Sequence, residues 1–387
     1  MLKHIKYIVY LSFSILALIN NLFFINVKAQ EDIDVSAKSA ILICADSENV
    51  IWAKNENEPL PMASTTKIMT ALLALEYMQA NGNKEIEITN DMVMVEGTSM
   101  GLAAGDIISL ESLAQGMLLC SGNDAANSAA IAVGGSIENF VKMMNEKASM
   151  LGLKNTKFCT PSGLDQGNHH STARDMAVLG AYAMENDDFA NIVSKKSMSV
   201  KFINPSKVVN YKNHNKLLRL YDACIGVKTG FTKSAGRCLV SCAQKGEAKL
   251  ICVTLNAPND WDDHIKLYNY GFENVVVKTF DDQNFRIQVP INNCSKNVVD
   301  AECLSQFSAC LKKDQEDKIE RKIELPSVCS APIEKGQILG NVVYYYQGNV
   351  IGKNNIIATE SIGNEPNNLK KGHFNSLKRF FKKIFKK

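Results

Sequence analysis

Missing from this sequence is any CxxC pair, or any histidine-bearing pair, at the spacing of metal ligands, so a zinc site is excluded and neither metal nor cofactor is expected. Internal repeats and long low-complexity linkers are also lacking, which leaves out repeat architectures. A basic surface spread over the fold is lacking too. The formal charge is +3, yet Lys3, Lys6 and Lys28 at the front and eight Lys or Arg after Leu369 carry the excess, leaving a body of about −8. No nucleic-acid partner is expected from such a body.

What is there is a globular composition in 387 residues, enough for two domains. The first thirty residues read as an export signal: Lys3, His4 and Lys6, an apolar run from Tyr7 to Val27, and Val27-Lys28-Ala29 before Gln30 as the cleavage site. The run is long enough to stay as an anchor, but Asn20, Asn21 and Asn26 interrupt it, so cleavage after residue 29 is the preferred reading. Either outcome puts the remainder outside the cytoplasm. Eleven cysteines would suit a disulfide framework there, but their number is odd and their positions scattered. Most are read as unpaired thiols, with Cys238, Cys242 and Cys252 inside apolar strand-like runs, and one or two bridges left open.

From residue 30 to 274 short apolar strands alternate with helices, which predicts a mixed α/β domain. "SAILICADSENVIWAK" reads as a hairpin about "DSEN". "IMTALLALEYMQANG" reads as a buried helix ended at Asn81-Gly82, and "ESLAQGMLLCSGNDAANSAAIAVGG" as two helices broken at Ser121-Gly122-Asn123. "STARDMAVLGAYAM" reads as a further helix capped by Ser171 or Thr172. After Gly226, "GVKTGFT", "GRCLVSCAQKG" and "KLICVTLNAP" predict three antiparallel strands. From 275 to 362 the strands become shorter and more polar, which predicts a separate small all-β domain. In the tail, 363–387, Phe374, Leu377, Phe380, Phe381, Ile384 and Phe385 share an arc of about 140° at helical spacing, with lysines and Arg379 opposite. A basic amphipathic helix with an aromatic face is expected to lie in a membrane interface and pair with anionic lipid.

Three short motifs carry the chemistry. Ser64 and Lys67 lie one turn apart in "MASTTKIMTALLALE", close enough for the amine to reach the hydroxyl. A hydroxyl needs a base to become a nucleophile, and a lysine serves only if burial or a second cation lowers its pKa. Ser-x-x-Lys alone is weak. "CSGND" adds Ser121 and Asn123 at a helix break, and "GVKTGF" adds Lys228, Thr229 and Gly230 on a strand. In that order the three triplets form a signature shared by class A β-lactamases and penicillin-binding proteins.

With "LPMASTTKIMTALLALE", "LLCSGNDAAN", "TPSGLDQGNHHSTARDMA", "GVKTGFTKSAGRCLV", "APIEKGQILG" and the amphipathic tail, the chain resembles the low-molecular-mass penicillin-binding proteins, the serine-type D-Ala-D-Ala carboxypeptidases of peptidase family S11. Ser-Gly-Asn in place of Ser-Asp-Asn is that family's form. The resemblance implies an α/β, β-lactamase/transpeptidase-like catalytic domain, an antiparallel sheet with flanking helices, followed by the small all-β domain. It implies Ser64 as the acylated nucleophile, Lys67 as its base and Ser121 as the proton relay to the leaving D-alanine. Asn123 would hold the substrate amide, Lys228 and Thr229 the terminal carboxylate, and the N–H groups of Ser64 and Phe231 the oxyanion, with Gly230 a further substrate-binding residue. Peptidoglycan stem peptides and β-lactam antibiotics are the implied partners, at the outer face of the bacterial plasma membrane.

One departure stands out. Some members carry an arginine shortly before the Gly-Phe pair that closes the catalytic domain, whereas "NAPNDWDDHIKLYNYGF" has none, so Arg237 becomes a candidate carboxylate ligand. His169, His170 and Arg174 look structural. Two other readings share parts of the pattern. A class A-like β-lactamase would need a deacylating glutamate in a Glu-x-x-Leu-Asn segment, which is not found between Gly122 and Val227. A catalytically silent wall-binding scaffold would be expected to have lost a Ser, Lys or Thr from one motif, and all are present.

Overall fold

The apolar run SAILIC forms β1 (Ser39–Cys44), buried at every position as befits a strand covered on both faces. It turns back through Asp46-Ser47-Glu48-Asn49 into β2 (Val50–Lys54), with Leu42 opposite Trp52. The predicted hairpin is present. The computed structural model describes residues 33–364; the leader and basic tail lie outside the described residues, and among those described no helix is long and apolar enough to cross a membrane.

Three later strands, β7 (Cys224–Thr232), β8 (Gly236–Lys245) and β9 (Ala248–Leu255), join that hairpin in an antiparallel sheet of order β2-β1-β9-β8-β7. Strand β9 pairs with β1, so the start and end of the α/β segment are sewn together at the sheet centre. Strand β7, bearing Lys228, is left at the edge. Two small hairpins, β3 (Glu85–Glu87) with β4 (Ile107–Ser109) and β5 (Ser197–Phe202) with β6 (Lys207–Lys212), lie outside the main sheet.

The helices supply the rest of the core. Helix α1 (Lys67–Asn81) is buried continuously from Lys67 to Leu75 and packs against α3 (Leu110–Leu119) and α4 (Asn123–Gly134); the short α2 (Asn90–Val93) precedes them. The alanines of α4 let it come close to its neighbours. Helix α5 (Ile137–Met150) closes this bundle. Helix α6 (Ala173–Ala183), capped by Thr172 Oγ1 accepting from the Asp175 N–H at 3.0 Å, lies on one face of the sheet, followed by α7 (Asp187–Val193). After the short α8 (Leu217–Leu220), helix α9 (Asp260–Asn274) covers the opposite face. There, buried His264 is held between Ser241 Oγ at 2.6 Å and Thr254 Oγ1 at 3.0 Å.

Beyond α9 the regular structure of the described residues is strand, apart from one 3-10 turn at Glu316–Lys318. Strand β10 (Val275–Phe280) pairs with β13 (Phe307–Lys312). Strands β11 (Arg286–Asn292), β12 (Val298–Glu302), β14 (Ile319–Glu324), β15 (Cys329–Ser330), β16 (Ile338–Tyr346) and β17 (Asn349–Ala358) form a sheet of order β14-β16-β17-β12-β11-β15. Between the two sheets Phe280, Phe307 and Tyr344 stack with ring centroids 4.3 to 5.9 Å apart. Beside them a buried polar knot forms: Asp282 accepts from Arg321 Nη2 at 2.9 Å, Tyr344 Oη at 2.6 Å and Asn354 Nδ2 at 3.4 Å.

Candidate active site

Ser64 does not begin α1. It sits in a 3-10 turn, Ala63–Thr66, and α1 starts at Lys67. Because a 3-10 turn has three residues per turn, positions i and i+3 eclipse, which puts the Lys67 ammonium over the Ser64 hydroxyl more directly than an α-helix would. Lys67 Nζ lies 3.0 Å from Ser64 Oγ, and also donates to Asn123 Oδ1 at 2.7 Å and to the Ser162 carbonyl at 2.6 Å. Ala63 has φ of 47°, a strained value for a residue with a Cβ, and the turn is fastened by Thr66 Oγ1 donating to the Ala63 carbonyl at 2.8 Å. Gly163 backs onto this turn: a Cβ there would come within 2.0 Å of the Ala63 carbonyl oxygen.

The second motif sits between α3 and α4, where Ser121 takes a left-handed φ of 64° that turns its side chain to the cleft. Asn123 opens α4 and is oriented by its own amide donating to the Glu96 carbonyl at 2.7 Å. Next to it Asp124 collects the N–H groups of Met100, Gly101 and Leu102 at 2.8 to 3.1 Å, tying the 99–102 loop to the helix start. The third motif comes from the edge strand: Lys228 Nζ donates to Ser121 Oγ at 3.0 Å and to the Thr229 carbonyl at 2.8 Å. Gly230 lets β7 press against the Ala63–Thr66 turn, since a Cβ there would lie 3.0 Å from the Ser64 and Thr65 nitrogens.

Electrostatics set this cluster apart. Lys67 and Lys228 are 0% and 1% exposed, and among the described residues no carboxylate lies within ion-pair distance of either. Burial, reinforced by the neighbouring Lys228 charge, holds the Lys67 amine well below the ordinary lysine range. Burial pulls Lys228 down to about 7. A neutral amine beside a serine can accept its proton, and a second amine poised near neutrality can hold an anion.

A cavity of about 290 Å³ opens over these groups, lined by Ser64, Ser121, Thr229, Gly230, Phe231 and Arg237. Sequence reasoning missed Thr98, His214, Lys216, Asp260 and Trp261, which also line it. It missed the Ser162 carbonyl as well, because a main-chain acceptor leaves no side-chain signal. Arg237 stands opposite Phe231 in the strand register, bonded to Asp260 Oδ1 through Nε at 2.9 Å and Nη2 at 2.6 Å, with its guanidinium 5.2 Å from the Trp261 ring centre. His169 is buried behind the turn, its Nε2 2.7 Å from Thr66 Oγ1, and burial lowers it to about 4, so it braces the turn as a neutral ring. His170 and Arg174 do not line the cavity. A larger hollow of about 990 Å³, which includes Arg174 and Tyr345 in its lining, lies at the seam with the β strands, but it contains no nucleophile paired with a base. Chemistry, not size, locates the site.

A family model described as D-alanyl-D-alanine carboxypeptidase matches residues 26–259, and one described as penicillin-binding protein 5, C-terminal domain, matches residues 278–364. This chain belongs to the D-alanyl-D-alanine carboxypeptidase family. The carboxypeptidase DacF of Bacillus subtilis is 31% identical to it over 343 residues, covering 87% of this chain and 88% of that protein. DacC of Escherichia coli is 32% identical over 348 residues, covering 85% and 84%. Among solved structures, penicillin binding protein 5 from Haemophilus influenzae superposes with a TM-score of 0.67 at 28% identity, covering 85% of this chain and 98% of that one. The Streptomyces K15 DD-transpeptidase superposes with a TM-score of 0.59 at 30% identity, covering 62% of this chain and 98% of its own. The fold of this family member is therefore the β-lactamase/transpeptidase-like α/β arrangement followed by an all-β domain.

Proposed function

We propose that the chain removes the terminal D-alanine from peptidoglycan pentapeptide stems through a serine acyl-enzyme, and that penicillin acylates the same serine. The observation that carries this reading is the buried Lys67 amine, 3.0 Å from Ser64 Oγ and without a carboxylate partner among the described residues. In the proposed cycle the substrate's terminal carboxylate binds Lys228 and Thr229, with Arg237 at the rim, and its amide binds Asn123. Lys67 takes the Ser64 proton as Oγ attacks the carbonyl of the penultimate D-alanine. The Ser64 and Phe231 N–H groups hold the oxyanion, and the proton returns through Ser121, 3.0 Å from Lys228, to the amine of the departing D-alanine. Water then releases the shortened stem.

The boundaries proposed are a signal over 1–29, a catalytic domain over 30–274, a β domain over 275–362 and a membrane-binding amphipathic tail over 363–387. The basic aromatic pattern of the tail supports anchoring to anionic lipid at the outer face of the plasma membrane. The test is mass spectrometry of the full chain in detergent after incubation with penicillin, and separately with a pentapeptide ending in D-Ala-D-Ala. A lasting penicilloyl adduct on the Ser64 peptide with D-alanine released supports the proposal. Rapid penicillin turnover without adduct would instead mark a β-lactamase, and neither product a silent scaffold.

A further inference from the structure

We propose that Cys44 and Cys310 form a disulfide that fastens the C-terminal β strands to the catalytic sheet. Cys44 ends β1, next to the central β9, and Cys310 lies in the middle of β13, paired across from Val277. Their sulfurs are 2.7 Å apart, inside the distance at which non-bonded heavy atoms settle, and both side chains are 0% exposed. The two backbones are held as firmly as the sulfurs. The Cys44 N–H donates to the Asn49 carbonyl at 2.9 Å, closing the β1–β2 turn. That turn then grips Cys310: Asp46 Oδ2 accepts its N–H at 2.9 Å, and Ser47 Oγ donates to its carbonyl at 2.8 Å. Asn49 and Gln315 bond beside them.

No other cysteine pair is so placed among the described residues. The sulfurs of Cys120, Cys224, Cys238 and Cys294 meet backbone carbonyls instead. Burial, then the neighbouring thiol, raises Cys44 well above its ordinary value, so in the folded chain Cys44 is a poor source of thiolate. Closure therefore belongs to the period before the seam is packed, and reopening is slow once it is.

The chemistry needs a disulfide-bearing oxidant. A Cys44 or Cys310 thiolate attacks one sulfur of the donor disulfide, whose S–S bond breaks and releases one thiolate that takes up a proton. The second cysteine then attacks the mixed disulfide, forming the Cys44–Cys310 bond and expelling the second donor thiol. Two cysteine thiols are oxidised and one donor disulfide is reduced to two thiols. The bridge closes a chain separation of 266 residues, the regime in which a cross-link restricts the unfolded chain strongly.

The test uses the full chain in detergent, unfolded and reduced, then refolded with and without oxidised glutathione. Free thiols are alkylated under denaturing conditions and the protein digested without reduction. The expected result with glutathione is one dominant cross-linked peptide joining Cys44 to Cys310, with the other nine cysteines alkylated. The oxidised protein should also unfold at a midpoint raised by roughly 5 °C or more over the reduced form, a difference that Cys310→Ser abolishes. Finding Cys44 and Cys310 both alkylated after oxidative refolding, or Cys44 joined mainly to another cysteine, would overturn the proposal. So would an unfolding midpoint indifferent to the oxidant, a reading on the unsubstituted chain that does not depend on any variant folding.

Discussion

Both halves of the molecule bury charge, and they treat it in opposite ways. In the β strands Asp282, 2% exposed, meets Arg321, and Tyr344 and Asn354 fill its remaining acceptor sites. In the catalytic cleft Lys67 and Lys228 are buried with hydroxyls, an amide and carbonyls, and with no carboxylate among the described residues at contact distance. The first arrangement satisfies its charges and fixes a fold. The second leaves two ammonium groups undercompensated, which costs stability and lowers their proton affinity. Unpaired buried charge, more than buried charge as such, marks where chemistry is done.

The hardest blow to that contrast falls on Ser64 and Lys67, the proposed nucleophile and base. Ser64→Ala should abolish the penicillin adduct, and Lys67→Ala should slow acylation about 10²–10⁴-fold, since the two act as a unit. Stopped-flow acylation as fast as in the unsubstituted protein would remove Lys67 from the mechanism. On the paired side, Asp282→Ala leaves the Tyr344 hydroxyl without its acceptor and Arg321 without its carboxylate, an orphaned buried group costing about 1–3 kcal/mol. Denaturant titration should show that loss, with the acylation rate of the folded fraction unchanged.

Lys228→Met should do the reverse, raising stability by about 1–3 kcal/mol while weakening carboxylate binding. The pH dependence gives the sign independently. Lys228 falls from an ordinary value of 10.5 to about 7 on folding, so between those limits the unfolded chain binds more protons and this residue's contribution makes stability rise with pH. A chemical-denaturation series across that window, with and without Lys228, isolates the slope. The smallest effect is on rate: as pH rises through about 7, Lys228 loses its charge, so kcat/KM for a penicillin free acid should show an alkaline fall that its methyl ester lacks. Identical profiles for acid and ester would free Lys228 of the carboxylate.

Much of this architecture is legible in the amino-acid sequence. The hairpin about residues 46–49, the helix break expected at Ser121-Gly122-Asn123 and found one residue earlier, and the three motifs are local patterns, and the motif residues converge. Asp260 and Trp261 are not legible as cleft residues, because α9 reaches the cleft rim only through its packing on the sheet. His214 gives no sign either, since a lone histidine in a polar run says nothing until the fold buries it near Lys228, where burial and then that charge lower its pKa. The Asp282 knot joins a residue of the β10–β11 connection to Arg321, Tyr344 and Asn354 of three later strands, far apart in sequence, and no single-sequence period encodes such a meeting. The 3-10 turn is hidden because Ala-Ser-Thr-Thr also reads as an ordinary helix start.

The wall behind Ser64 leaves little freedom to a population adapting to β-lactams. Gly163, at φ +84°, admits no side chain without displacing the Ala63 carbonyl, and Gly230 closes the other flank. Substitutions that relax drug affinity while sparing the reaction are thus confined to the front rim, where Phe231 is 65% exposed and His214, Lys216 and Trp261 face the cleft. Resistance, where this chain acquires it by substitution, should be written at the entrance and not at the serine.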